Sequence, residues 1–390
     1  MSETHSSDEK YDEHCDEQYI RKALDLARAG VGLVSPNPAV GAVIVNASGR
    51  EVGTGTHTYA GVKHAEVLAL EQAGSQARGA ILYLNLEPCS HHGRTGPCAD
   101  AVISAGISRV VCSMEDPNPQ VAGRGFAKLR AAGTQVDVGM FETEAKKLNE
   151  SFAKYIRFGK PLITLKSAMS LDGKIAAAET PVKDAPVNDA CGHRWITGEA
   201  ARAHVQQLRH QNDSILVGVG TVIVDNPLLT DRSGLPRRRK LLRVILDSRL
   251  RIPLESQVIR TAEDDVLIIC STPDDHARRA LEARGIRVQQ VSSSNDVRPD
   301  FAAIIQYLGK IEVASVLIEG GSSVNATALQ SSEVDKVFLY YAPKLFGEGA
   351  IPFIAAQDAP WQPRCLQQIE VHRFGEDFAL EGYLRDPYSP

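Results

Sequence analysis

The sequence contains no run of apolar residues of the roughly 18–20 that a membrane-spanning helix needs, so no membrane partner is expected. Concentrated basic charge is also scarce. The net charge is −5, the pI is about 6.1, and Arg237-Arg238-Arg239-Lys240 is the one dense basic cluster. It follows Ser233-Gly234-Leu235-Pro236 and reads as a solvated loop. A dedicated nucleic-acid binder needs a basic face to neutralise phosphates, so no nucleic-acid partner is expected. Cysteine is sparse, odd in number at seven, and scattered over the chain. That argues against a disulfide framework and makes a reducing cytoplasm the expected location. The opening stretch MSETHSSDEKYDEHCDEQ lacks both the basic and the apolar region of a signal peptide.

The composition is otherwise that of a globular protein, with 43% hydrophobic and 23% charged residues and a mean hydropathy of −0.17. A length of 390 residues points to two domains. Residues 1–16 are acidic and polar and read as a disordered tail. From Gln18, the residues Ile20, Ala23, Leu24 and Ala27 recur at helical spacing until Gly30 and Gly32 stop the helix. Strand and helix signals then alternate: strand 39–45, helix 65–74, strand 80–86, helix 98–106, strand 108–114, helix 125–133, strand 134–139. Single helices between strands predict a three-layer α/β domain over 17–147, followed by a junction at 148–160. From Pro161 the strand signals dominate, at 161–170, 213–220, 240–247, 265–270, 286–291, 314–321 and 334–343, with a helix at 199–210. They predict a second, strand-rich α/β domain over 161–390.

Two fragments carry chemistry. HAE at 64–66 places a histidine two residues before a glutamate, and PCSHHGRTGPC at 88–98 holds two cysteines. His64, Cys89 and Cys98 form a zinc ligand set in which two thiolates and a neutral imidazole balance the ion's charge and leave a fourth position for water. His64 opens a helix, Cys89 follows a strand and Cys98 starts the next helix, so all three fall on one edge of the sheet. On a regular helix His64 and Glu66 diverge, and they converge only on something beyond its N-terminus. A water at the metal fits that place, with Glu66 as its proton shuttle. The competing reading is a closed structural zinc site with His91 or His92 as fourth ligand, which gives Glu66 no task. HAE with a following PC and a second Cys matches the zinc nucleobase deaminases, except that eight residues separate Cys89 from Cys98 where those have two.

The departure is informative. SPNPAVGAVIV, HTYAGVKHAEVLAL, LEPCSHHGRTGPC and DPNPQVAGRG resemble the deaminase half of the bifunctional riboflavin-biosynthesis deaminase/reductase family. KSAMSLDGKIA, WITGEAAR, ILVGVGTVIVDNPLLTDR, VILDS, LIEGG and YYAPKLFG resemble its reductase half, and the resemblance covers about residues 18–385. It implies a three-layer cytidine-deaminase-like domain followed by a dihydrofolate-reductase-like α/β domain. The absence of GxGxxG agrees with a nicotinamide site that is not of the Rossmann kind.

The resemblance also implies the reaction and its groups. A diaminopyrimidinone carrying a ribosylamino 5′-phosphate loses its ring amino group as ammonia at the zinc site, and NADPH then reduces the ribosyl to a ribityl chain. Asn37, His57, His91 and Arg94 match positions facing the deaminase substrate, and Arg94 suits a phosphate. Asn37, between two prolines, is equally a residue that shapes a turn. Ala168, Trp195, Thr221, Asp225, Ser248 and the segment Gly321, Ser322, Ser323, Val324, Asn325, Ala326, Thr327 match NADPH positions. There Gly320-Gly321 lets phosphate approach the start of a helix. Arg209, Leu229, Arg232 and Glu319 match reductase-substrate positions, with the two arginines holding the phosphate. Lys166 is the candidate that polarises or protonates the opening sugar. Position 193 is a departure: His193 stands where the family has Ser, just after the unusual stretch 179–192, and Gly96 stands where Pro is common. A homo-oligomer, dimer or tetramer, is the family expectation. The rival readings are a zinc deaminase of another nucleoside or tRNA, and a zinc-stapled nucleotide-binding scaffold without activity.

Overall fold

The computed structural model describes residues 6–59, 63–90, 96–177, 195–293, 298–355 and 361–389. The chain divides into two compact units. One comprises residues 1–158 together with 236–239, and the other residues 159–235 and 240–390. The residues expected as a junction therefore belong to the first unit up to Phe158, most of them in the helix Glu150–Phe158.

In the first unit, strands β1 (Gly41–Val45), β2 (Glu51–Thr56), β3 (Ile81–Leu84), β4 (Arg109–Cys112) and β5 (Gln135–Val138) form one sheet in the order β2-β1-β3-β4-β5. The hairpin β1–β2 is antiparallel, whereas β3, β4 and β5 run parallel. Every residue of β1 is buried, as a continuous apolar run covered on both faces should be. The helix Ala65–Ala73 lies flush on β2 because that strand carries glycine where it passes beneath. A Cβ at Gly55 would stand 2.0 Å from the Ala65 carbonyl oxygen, and one at Gly53 2.2 Å from that of Ala69. This close approach fixes the N-terminus of the helix, and with it His64 and Glu66.

Two expectations need correction here. The first helix runs Ser6–Ala29, not from Gln18. Asp16, placed in a disordered tail, is buried and accepts hydrogen bonds from Arg109 (Nη2–Oδ2 2.7 Å, Nη1–Oδ1 3.1 Å) and from the Tyr83 hydroxyl (2.7 Å). A polar composition hid an ion pair whose partner is distant in sequence. The basic run is not simply solvated either. Arg237, Arg238 and Arg239 are half-buried, and only Lys240 is exposed.

In the second unit, β6 (Leu162–Ser170), β7 (Lys174–Ala176), β8 (Ser214–Gly218), β9 (Leu242–Leu246), β10 (Val266–Cys270), β11 (Arg287–Gln290), β12 (Ser315–Ile318), β13 (Lys336–Ala342), β14 (Ile351–Pro352), β15 (Gln367–Phe374) and β16 (Asp377–Tyr383) are the strands. Nine make one sheet, β11-β10-β9-β8-β12-β6-β13-β16-β15, while β7 and β14 pair separately. From β11 to β13 neighbours are parallel; β16 and β15 are antiparallel additions. Ile163, Leu165, Leu216, Val316 and Ile318 meet the helix Phe301–Lys310 in the core. Because β6, β8, β9 and β12 run parallel, their carboxyl ends lie on one edge, where open α/β sheets hold ligands.

Candidate active sites

The zinc ligand set assembles as its sequence spacing predicts. His64 is the residue before the helix Ala65–Ala73, in extended conformation, and Cys98 is the first residue of the helix Cys98–Ala105. Cys89 follows β3. His64 Nδ1 lies 3.0 Å from Cys98 Sγ and 3.6 Å from Cys89 Sγ, and the three donor atoms fall within 4.8 Å of one another. Two sulfurs and one imidazole nitrogen converging from three elements is a donor set that suits zinc. The backbone N–H of Cys98 donates to Cys89 Sγ at 3.3 Å, a contact that favours a thiolate. With Cys98 donating to it, Cys89 is pulled well below the usual thiol range, whereas the same contact and burial push the Cys98 thiol up. One thiolate is thus already favoured, and a divalent cation would make the second. Hydrogen bonding to Cys89 raises His64.

Glu66 is 3% exposed in the first turn of its helix, and burial raises its carboxyl above the usual range. His57 is also buried. Its Nδ1 lies 3.1 Å from the Lys63 carbonyl oxygen and its Nε2 3.2 Å from Asn37 Nδ2. A carbonyl can only accept, so Nδ1 carries the proton and Nε2 accepts from Asn37. Burial lowers the His57 pKa, in keeping with this neutral tautomer. Its ring meets His64 edge-on, with centroids 5.3 Å apart. Asn37, His57, His64 and Glu66 are therefore neighbours, while His91 and Arg94 lie outside the described residues.

Glu87 is a participant that spacing did not reveal. Buried at the end of β3, its carboxylate accepts backbone N–H groups from Asp116 (3.0 Å), Gly123 (2.9 Å), Gly125 (2.8 Å) and Phe126 (3.3 Å). It ties the strand end that delivers Cys89 to the start of the helix Arg124–Ala131. The motif LEPC contained it, but nothing local shows that its partners lie some thirty residues on.

In the second unit, β6 pairs with β12 in a register that sets Leu165 beside Ile318, and Lys166 and Glu319 follow. Lys166 Nζ is 3.5 Å from Glu319 Oε2. Arg209, from the helix Glu199–Gln211, grips the same carboxylate twice and also donates to the Thr230 carbonyl at 3.0 Å. Burial opposes ionisation of Glu319, but Arg209 and Lys166 outweigh it and hold the group at about 2. The fork of Arg209 expected to meet a phosphate is thus directed at Glu319. Arg232 is exposed, and Leu229 is buried with φ 56°.

The expected cofactor residues gather at the carboxyl edge. Ala168 lies on β6, Thr221 and Asp225 follow β8, and Ser248 follows β9. The helix Ser322–Gln330 begins after β12 with Gly321 before it. Its first turn is seated by glycine: a Cβ at Gly320 would stand 2.7 Å from Val324 Cγ1, and one at Gly218 2.8 Å from Val324 Cγ2. Ser322 Oγ is buried there without a hydrogen-bond partner, although buried polar atoms are rarely left so. A dinucleotide phosphate at this helix start fits such a cradle. Ser323 is exposed, and Ala326 and Thr327 complete the next turn. Trp195 is 54% exposed, with the Arg202 guanidinium 5.1 Å from its ring centroid. His193 lies outside the described residues.

Fold and sites together define a two-unit enzyme, a zinc-dependent deaminase of cytidine-deaminase-like fold and an NADPH-dependent reductase. Comparison with known proteins agrees for both. Residues 13–114 match the cytidine and deoxycytidylate deaminase zinc-binding region, and residues 161–380 match the RibD C-terminal domain. The chain is 42% identical to the riboflavin biosynthesis protein RibD of Aquifex aeolicus, covering 94% of this chain and 97% of that protein. It is 40% identical to RibD of Escherichia coli over 86% of this chain and 89% of that one. Among solved structures, RibD of Acinetobacter baumannii matches with a TM-score of 0.80 at 34% identity, covering 95% of this chain and 99% of the other. A diaminohydroxyphosphoribosylaminopyrimidine deaminase/5-amino-6-(5-phosphoribosylamino)uracil reductase from Thermotoga maritima matches with a TM-score of 0.75 at 35% identity, with the same coverage. The chain belongs to the RibD family of bifunctional riboflavin-biosynthesis enzymes.

Proposed function

We propose that the first unit removes the ring amino group of a 2,5-diamino-6-ribosylamino-pyrimidinone 5′-phosphate as ammonia. The second unit then reduces the ribosyl chain of that product to a ribityl chain with NADPH. The observation that carries this reading is the meeting of His64, Cys89 and Cys98 with a buried Glu66 beside them. Zinc held by those three side chains supplies the Lewis acidity that lets water attack near neutral pH. Glu66 accepts the proton that the water gives up and passes it to the departing amine. Asn37 and His57 line the substrate side, and His91 and Arg94 complete it, with Arg94 on the phosphate.

In the second unit NADPH supplies a hydride to the sugar carbon. The segment Gly321, Ser322, Ser323, Val324, Asn325, Ala326 and Thr327 would hold its phosphates. Ala168, Trp195, Thr221, Asp225 and Ser248 hold the rest of the cofactor. Lys166 gives the sugar oxygen its proton, and the ionised Glu319 keeps the ammonium aimed. Arg209 serves through Glu319, and Arg232 meets the 5′-phosphate, with Leu229 and His193 beside the substrate. The protein is proposed to work in the cytoplasm, supported by free thiols at every described cysteine. It is proposed to be a homo-oligomer, dimer or tetramer. Strand β15 ends the sheet with Ile369 and Val371 exposed, an edge that a second copy can cover.

The test is ammonia release from the diaminopyrimidinone phosphate and NADPH oxidation with its deaminated product. Ammonia from a nucleoside or tRNA but not from the pyrimidinone overturns the first half. Absence of NADPH oxidation overturns the second.

A further inference from the structure

The basic run has a member with a specific task. Segment 236–239 is part of the first unit, and Arg238 is its anchor. The Arg238 N–H donates to the Gly32 carbonyl at 2.8 Å, and its guanidinium Nη1 donates to the Ser35 carbonyl. The guanidinium carbon lies 3.1 Å from the centre of the Tyr59 ring, a cation stacked on an aromatic face. Tyr59 in turn donates its N–H to the Leu33 carbonyl at 3.1 Å.

These contacts join two pieces of backbone. One is the turn from Gly30 to Asn37, whose end carries Asn37. The other is the stretch after β2, which carries His57 and Tyr59. At the site the two pieces meet in a side-chain contact, Asn37 Nδ2 to His57 Nε2 at 3.2 Å. Neutral residues hold that contact, and one neutral hydrogen bond on a turn is weak by itself. Arg238 is a charged group that grips both pieces, through its Nη1 on the Ser35 carbonyl of the first and its guanidinium face on the ring of the second, while its backbone N–H holds the Gly32 carbonyl. The planar guanidinium is what permits this, since a lysine ammonium cannot lie flat on a ring while its edge donates to a carbonyl.

We propose that Arg238 is a positioning residue of the deaminase: it holds the Asn37 turn against His57 and so sets how the pyrimidine substrate is bound. The inference rests on the deaminase reading of this site. Arg238 touches no reacting atom, so its loss should act on substrate binding more than on the chemical step.

The test compares wild type, Arg238→Met, Arg238→Lys, Tyr59→Leu and the double variant Arg238→Met/Tyr59→Leu as full-length zinc-loaded enzymes. Ammonia release is the readout, with zinc content and melting temperature alongside. Arg238→Met is expected to raise KM roughly tenfold, about what one charge-assisted hydrogen bond is worth, with kcat little changed. Arg238→Lys should remain defective, because charge without the fork does not restore the grip. Tyr59→Leu should shift KM in the same direction, and the double variant should be no worse than the worse single one, as for two groups acting as a unit. NADPH oxidation with the deaminated product should stay at wild-type rates throughout. An unchanged KM in Arg238→Met overturns the proposal. So does full recovery in Arg238→Lys, which would leave charge alone as the cause, or strict additivity in the double variant. If Arg238→Met does not fold, the Lys and Leu variants decide by the same criteria. If wild type itself releases no ammonia, the deaminase reading has failed, and not this step beyond it.

Discussion

Arg209 and Glu319 form a two-point ion pair, Nε to Oε1 at 2.7 Å and Nη2 to Oε2 at 3.1 Å, with both side chains nearly buried. A charge-assisted fork of this kind is strong only while the carboxylate is ionised. Glu319 is held at about 2, below the roughly 4.3 of an unfolded glutamate. Its contribution to stability is therefore complete above the unfolded value and disappears as pH falls through the folded one. The urea midpoint of the second unit should decline between about pH 5 and pH 2. Glu319→Gln should lower the midpoint at neutral pH, because Arg209 loses its charged partner, and should flatten that acid decline. An equally steep decline in the variant would show that Glu319 is not its source.

Cys89→Ser and Cys98→Ser should each lose most of the bound zinc, since a neutral hydroxyl is a far poorer ligand than a thiolate. Metal analysis of the purified variants measures this directly. Full retention in both would dismiss the ligand set.

Glu66→Ala should keep its zinc, because the three donors remain, and should lose deamination by roughly 10²–10⁴-fold, the usual worth of a positioned acid–base group. NADPH oxidation with already deaminated substrate should stay near wild type, and with the diamino substrate it should nearly stop. Normal ammonia release in the variant would remove Glu66 from the mechanism.

Gly320→Ala probes the cofactor cradle. The added methyl would stand 2.7 Å from Val324 Cγ1, so the first turn of the helix Ser322–Gln330 must shift. KM for NADPH should rise about tenfold or more, as a misplaced binding group allows, while ammonia release is unaffected. Unchanged affinity for NADPH, measured by fluorescence titration, would place the phosphates elsewhere.

The parts of this protein legible in its sequence are those set by local pattern. Continuous apolar runs gave β1, β3 and β6, and glycine ends gave the helices Ala65–Ala73 and Cys98–Ala105. With them came the placement of His64, Cys89 and Cys98 on one edge. Strand β2, EVGTGT, was missed because its glycines, which let a helix lie on it, also remove the apolar signal. The hairpin β15–β16 was missed because β15 is an edge strand with mostly exposed residues and no clear alternation. In the sequence Asp16 reads as tail and Arg238 as solvated loop, and Glu87 stands inside LEPC with no role of its own. Each finds its partners across the fold, and no local rule carries that information. Arg209 is expected to meet a phosphate and is found on Glu319 instead, a pairing that only the folded chain brings together.

The proton on His57 gives the first site a polarity. Because the Lys63 carbonyl takes the Nδ1 hydrogen, Nε2 must be offered a donor, and Asn37 has only its amide nitrogen to offer. The Asn37 carboxamide is thereby locked in one of its two flips, with its Oδ1 left to accept. A ligand that meets this carboxamide meets an acceptor oxygen and a second amide hydrogen, each in a fixed direction. One backbone carbonyl, through the imidazole, thus sets which way the Asn37 carboxamide faces.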